Sequence, residues 1–169
     1  MMTGNTPPAP LRDPARGTDA LEIRPAAEAD FGRLAPMNRE LIEDEGHRNP
    51  MTVPQLKERF RRFVREEGWS VDVFVLGGDI AGFATHRYEP DIAEPSGRRV
   101  FLRQFYIARD RRGGGLGRRA FELLIESRFK EGERIFLNVL ETNPGGKQFW
   151  SRTGFTPYDT TMEYLIRRT

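Results

Sequence analysis

Between residues 109 and 119 the chain reads RDRRGGGLGRR, three consecutive glycines and a fourth two places on, with arginines at both ends. These residue types suit an anion. Glycines let a phosphate approach the backbone, the unpaired N–H groups of a helix start point outward, and the helix dipole favours negative charge there. A pyrophosphate is the natural guest, although a glycine cluster taken alone fits a plain solvated turn equally well. A Walker loop needs Gly-Lys-Ser/Thr, which is absent. Gly115-Leu-Gly117-Arg-Arg-Ala120 fits the G-x-G-x-x-A form of a dinucleotide fingerprint, with Glu141 at the end of the next predicted strand as the ribose partner. Against that form, Arg109 to Arg112 separate the preceding strand from the first glycine, where a dinucleotide fold turns at once.

The elements that must hold this loop follow from periodicity. Val100 to Ala108 (VFLRQFYIA) reads as a strand rich in β-branched and aromatic residues, and Leu116, Ala120, Leu123 and Leu124 mark one face of a helix over 116–131 that ends at Gly132. Ile135 to Leu140 is a nearly continuous apolar strand, so strand, helix and strand make a parallel, right-handed βαβ unit. Upstream, Leu21–Ile23 alternates like a short strand, and Phe31, Leu34, Met37, Leu41 and Ile42 recur at helical spacing. Pro36 interrupts that pattern and predicts a kink or two short helices. Thr52 and Gln55 have capping-box spacing before a helix carrying Leu56, Phe60, Phe63 and Val64. Residues 71–76 and 80–87 form a hairpin about Gly77-Gly78-Asp79. Asn143-Pro144 reads as a helix cap with proline at the first position, Gly154 closes that helix, and Thr160 to Arg167 alternates as a last strand. Residues 1–20, rich in Pro, Gly, Thr and Asp, are expected to be a mobile tail ahead of a single domain over 21–169.

Composition narrows the classes. Without cysteine there is no disulfide, thiolate metal site or cysteine nucleophile, and two histidines give little scope for zinc, so no metal is expected. All but three of the 27 basic residues are arginines, yet acids accompany them throughout and the net charge is only +2, so there is no basic stripe of the kind that binds nucleic acid. There is no apolar run of signal-peptide or membrane-span character, which makes the cytoplasm the expected location and a membrane an unexpected partner.

A second pattern lies downstream of the glycine loop: Asn143, Gly146 three residues on, the aromatic Trp150, then Gly154-Phe155. Together with Arg112-Gly-Gly-Gly115-Leu-Gly117 it resembles the GNAT superfamily of acetyl-CoA-dependent N-acetyltransferases, over about residues 21–167. The resemblance implies an α/β fold with a central, mostly antiparallel twisted sheet, one parallel βαβ unit, and strands 100–108 and 134–140 splayed apart, flanked by helices. The pantetheine arm of acetyl-CoA would lie in the splay along Phe105, Tyr106 and Ile107, with the Ile107 N–H polarising the thioester carbonyl. Arg112, Gly113, Gly114, Gly115, Gly117 and Arg118 would bind the pyrophosphate. Asn143 and Trp150 would line the pantetheine side, Asn143 serving equally as a helix cap and Trp150 as core packing. A homodimer is compatible with all of this.

Two positions depart from the family pattern. Asn138 stands where many members carry a carboxylate base, and Trp150 where they often carry a tyrosine acid; neither can transfer a proton near neutral pH. Tyr106, His86 and Glu141 are the alternative proton carriers, and His47 reads as a surface loop residue. The acids Glu40 to Glu45 could attract a cationic acceptor or merely be a solvated face. The expected function is acetyl transfer from acetyl-CoA to a primary amine of unidentified structure, with a non-catalytic acyl-CoA-binding module and a dinucleotide-binding domain as alternatives.

Overall fold

The computed structural model describes residues 20–167, so the tail expected over 1–20 lies, apart from Ala20, outside the described residues. Five strands form one mixed sheet in chain order: β1 (Leu21–Pro25), β2 (Ser70–Leu76), β3 (Asp79–Pro90), β4 (Arg98–Ile107) and β5 (Ile135–Phe136). The first four pair antiparallel and β5 pairs parallel to β4. Helices α1 (Phe31–Asp44) and α2 (Val53–Arg65) lie between β1 and β2, α3 (Leu116–Arg128) joins β4 to β5, and α4 (Pro144–Thr153) follows.

The sheet separates two apolar layers because strand side chains alternate between faces. On one face Phe31, Leu34 and Met37 of α1 and Phe60 and Phe63 of α2 pack with Val73, Phe83 and Tyr106. On the other, Leu116, Ala120, Phe121 and Leu124 of α3 pack with Phe74, Ala84 and Ile107. The α2 start carries its predicted cap, with the Thr52 N–H donating to Gln55 Oε1 (2.8 Å). Gly82 is obligatory at the centre, since a Cβ there would stand 2.2 Å from the Tyr106 carbonyl oxygen on β4.

Four expectations change. Helix α1 runs unbroken through Pro36, which sits exposed in the second turn while Leu34, Ala35, Met37, Asn38, Leu41 and Ile42 are buried. Burial of that face outweighs the one hydrogen bond that proline removes. Helix α3 stops at Arg128 rather than 131, because Phe129 turns extended and sets its ring edge-on against His86. The strand expected over 134–140 pairs with β4 only at Ile135 and Phe136. The alternating segment 160–167 forms no strand: Met162, Tyr164 and Ile166 stand 89%, 89% and 74% exposed. Alternation marks a segment able to pair, and no sheet edge is hydrogen bonded to it here.

Candidate functional site

β4 carries a register shift that decides the site. His86 faces Leu102 but Thr85 faces Gln104, so Arg103 is an extra residue on β4 and forms a β-bulge. The Val100 N–H donates to Arg134 O (2.9 Å) on the β5 side, whereas the Ala108 N–H donates to Ala81 O (2.8 Å) on the β3 side. Residues an even number apart on a regular strand face the same way; the bulge inverts that alternation. Phe105 and Ile107 therefore turn their N–H groups toward the side that β5 leaves after Phe136. The result is a wedge-shaped gap between the end of β4 and residues 137–140, bordered by unpaired backbone. Nothing in VFLRQFYI announces this bulge, and sequence reasoning missed it.

The glycine loop lies at the wide end of that gap. Gly113, Gly114 and Gly115 have φ of 89°, 56° and 78°, conformations that side-chain-bearing residues rarely adopt, and open space surrounds the place where each Cβ would be. Among the described residues the N–H groups of Gly113, Gly114, Gly115, Gly117 and Arg118 meet no acceptor. These donors sit at the N-terminus of α3, where the dipole adds partial positive charge. Gly117 has a separate task, because a Cβ there would lie 3.2 Å from the Phe149 ring, so its bareness lets α4 approach α3.

The loop arginines face elsewhere. Arg112 donates through Nε to Ile107 O (2.9 Å) and through Nη2 to Asp44 (2.6 Å), with its guanidinium over the Tyr106 ring. Arg109 reaches the same Asp44 (2.7 Å), and Arg118 pairs with Glu122 (2.8 Å). Burial would raise the Asp44 carboxyl, but hydrogen bonds from Arg109 and Arg112 outweigh it and hold it below the usual range. These contacts clamp the end of α1 onto the end of β4.

The residues past β5 close the other side. Asn143 caps α4 by accepting from the Gly146 N–H (2.8 Å), and a Cβ at residue 146 would stand 2.5 Å from Asn143 Nδ2, which explains the small residue three places on. Trp150 is half-buried in an aromatic group with Phe105, Phe121, Phe149 and Phe155, ring centroids 4.8–5.4 Å from it.

The alternative proton carriers are engaged. Tyr106 points to the α1 face, where burial and its hydrogen bond to Glu40 push the phenol up; its backbone pairs with Phe83, away from the gap. His86 is buried with Nε2 2.9 Å from Asp72, which Arg128 also holds (2.7 Å). This cluster faces Leu102, five residues or roughly 17 Å along the strand from Ile107. Glu141 is exposed and paired with Lys147. His47 accepts from the Asn49 N–H (3.0 Å) in an exposed turn. Asn138 is exposed beside the gap. Among the described residues no group of His, Asp and Glu could hold a metal ion, and no helix is long and apolar enough to cross a membrane.

Comparison with known proteins adds a lineage. The acetyltransferase (GNAT) family matches residues 35–155. Two Bacillus subtilis proteins, a probable spermine N(1)-acetyltransferase from the natto strain and a spermine/spermidine N(1)-acetyltransferase, are each 32% identical over 81 residues. Those 81 residues are 46% of this chain and 53% of each relative, so the chain spans about half the length of the curated relatives it matches. Among solved structures, a mutant Bacillus halodurans protein is 24% identical with TM-score 0.70, over 86% of this chain and 99% of that one. A predicted acetyltransferase from Clostridium acetobutylicum, solved with acetyl-CoA, is 18% identical with TM-score 0.66, over 86% and 96%. These two likenesses bear on the fold, which matches the mixed sheet flanked by helices. With a family match over most of its length and the same architecture, the chain belongs to the acetyltransferase (GNAT) family.

Proposed function

We propose that the protein transfers an acetyl group from acetyl-CoA to a primary amine. The observation that supports this most is the juxtaposition of two unfilled hydrogen-bonding surfaces: five loop N–H groups at the start of α3, and the outward edge of β4 at Phe105 and Ile107. A diphosphate joined to an extended amide-bearing arm matches both at once, the diphosphate on Gly113 to Arg118 and the arm lying beside β4 as a further strand would. Asn143 and Trp150 border the arm from α4. In this reading the Ile107 N–H polarises the thioester carbonyl, and the carbonyl of the same residue is held by Arg112. Arg112 acts by bracing the loop rather than by touching a phosphate. A dinucleotide has a diphosphate but no arm that would use the open strand edge, so the gap favours acetyl-CoA.

The relatives' names support an amine acceptor, polyamines included. The test is thermal unfolding with acetyl-CoA and with NAD, followed by an acetyl-transfer assay across an amine panel containing spermine and spermidine. Acetyl-CoA at a hundredfold excess over Kd is expected to add about 2.7 kcal/mol of stability and NAD none. A shift with NAD alone would overturn the cofactor assignment; binding of acetyl-CoA without transfer to any amine would leave a binding module.

A further inference from the structure

The proposed transfer needs a group to take a proton from the acceptor ammonium, and Asn138, Trp150, Tyr106, His86 and Glu141 do not supply one. The turn that follows α1 holds one more carboxylate, Glu45. Its residues are tied to both sides of the gap. On the β4 side, Asp44 binds Arg112, which in turn binds the carbonyl of Ile107 (2.6 and 2.9 Å). On the other side, Thr142 Oγ1 donates to the Glu45 carbonyl (2.6 Å). Gly46 makes this approach feasible: it has a φ of 65°, and a Cβ there would stand 3.0 Å from the Thr142 Cβ. The Glu45 backbone thus lies against Thr142, the residue preceding Asn143, and is next in the chain to Asp44, which reaches Ile107 through Arg112.

Its neighbours in sequence are occupied. Glu40 accepts from Tyr106, Glu43 pairs with Arg39 and Arg109, and Asp44 pairs with Arg109 and Arg112. Among the described residues the half-buried Glu45 carboxylate meets no cation and no donor. We infer, resting on the proposed acetyl transfer, that Glu45 receives the acceptor's ammonium group at the mouth of the gap and takes its proton.

The step balances. One proton passes from R–NH3⁺ to the Glu45 carboxylate, giving R–NH2 and the neutral acid. The nitrogen lone pair forms the C–N bond to the thioester carbon as the C–S bond breaks. The nitrogen sheds one more proton as the amide forms, the thiolate takes up one to become the thiol, and Glu45 returns its own to water. Net, ammonium and thioester give amide, thiol and one free proton. Burial, with Asp44 adding to it, pushes the Glu45 carboxyl up to about 7, which suits a base working near neutral pH. The other charged groups on the elements around the turn are Glu43 on α1, Arg109 and Arg112 after β4, Glu141 with Lys147 beyond Thr142, and His47 and Arg48 next in the chain. Arg109 pairs with Glu43 and Asp44, Arg112 with Asp44, Arg48 with Glu163, and Glu141 with Lys147.

The experiment compares the wild type with Glu45→Gln, Glu45→Asp and the control Glu43→Gln, using spermine as the amine probe. kcat/KM is followed from pH 5.5 to 9, and acetyl-CoA and spermine binding are measured by calorimetry. Glu45→Gln is expected to lower kcat/KM at pH 8 by 10²–10⁴-fold, roughly the worth of a general base, and to remove the rise with an apparent pKa near 7. Glu45→Asp should keep that rise, and acetyl-CoA binding should be unchanged in all three. A Glu45→Gln profile within threefold of wild type, or one that keeps the rise, overturns the inference. If the wild type binds acetyl-CoA yet does not acetylate spermine, the proposed activity fails on that amine, and calorimetry still decides Glu45. Spermine bound at least tenfold more weakly by Glu45→Gln at pH 8 supports it; equal or absent spermine binding overturns it.

Discussion

The first four strands with α1 to α3 and the stretch after α3 are built from similarly apolar residues and reach different ends. In the former, Phe60, Val73, Phe83 and Leu124 are completely buried. Beyond Leu124 no described residue is buried, and Tyr164 is 89% exposed. Strands β2 and β3 meet across a two-residue turn, so each covers the other with little loop to close. β5 must return across a helix, and after two paired residues the bulge at Arg103 has turned β4 away from it. Distance along the chain is not the cause, since β1 joins β2 across α1 and α2 and still pairs from Leu21 to Pro25; the bulge on β4 is what leaves the last half open at its edge. The proposed ligand site occupies that opening.

The largest expected effect lies at the seam of the closed half. Gly82→Val places side-chain atoms where the Tyr106 carbonyl stands and forces β3 and β4 apart, so it should cost more than ~4 kcal/mol and abolish a cooperative melt by circular dichroism. A folded variant of near-native stability would mean that the seam tolerates rearrangement. Next, Phe60→Ala should cost about 3–5 kcal/mol in urea unfolding, the range for a fully buried aromatic. Tyr164→Ala, in the open half, should fall within about 0.5 kcal/mol of wild type. Equal costs at the two positions would erase the distinction between the halves.

Elements that rest on their own local pattern were legible in the sequence. The hairpin expected over 71–76 and 80–87 spans 70–76 and 79–90, α2 starts at its capping box, and Asn143 caps α4 with Pro144 first in the helix. The glycine loop was legible too, since its unpaired N–H groups follow from glycines placed before a helix. What escaped was set by partners distant in the chain. Arg103 becomes a bulge only because β3 fixes its neighbours on both sides. That Asp44, nearly seventy residues earlier, pairs with the Arg112 side chain was not legible either. The acids Glu40 to Glu45 read as one cluster, and only the fold shows that Glu40, Glu43 and Asp44 have partners while, among the described residues, Glu45 meets none. Pro36 was overrated as a breaker because propensity does not weigh the buried face opposite it.

The central claim is that acetyl-CoA fills the gap between β4 and residues 137–140 and rests on the glycine loop. Amide hydrogen exchange with and without saturating acetyl-CoA tests it most directly. The account predicts new protection at Phe105, Ile107 and the amides of Gly113 to Arg118, with the amides of α2 and β2 unchanged. The same slowing should be absent in Gly115→Val, whose side chain disfavours the positive φ of the loop. Protection that appears elsewhere while the loop and the end of β4 exchange as before would contradict it.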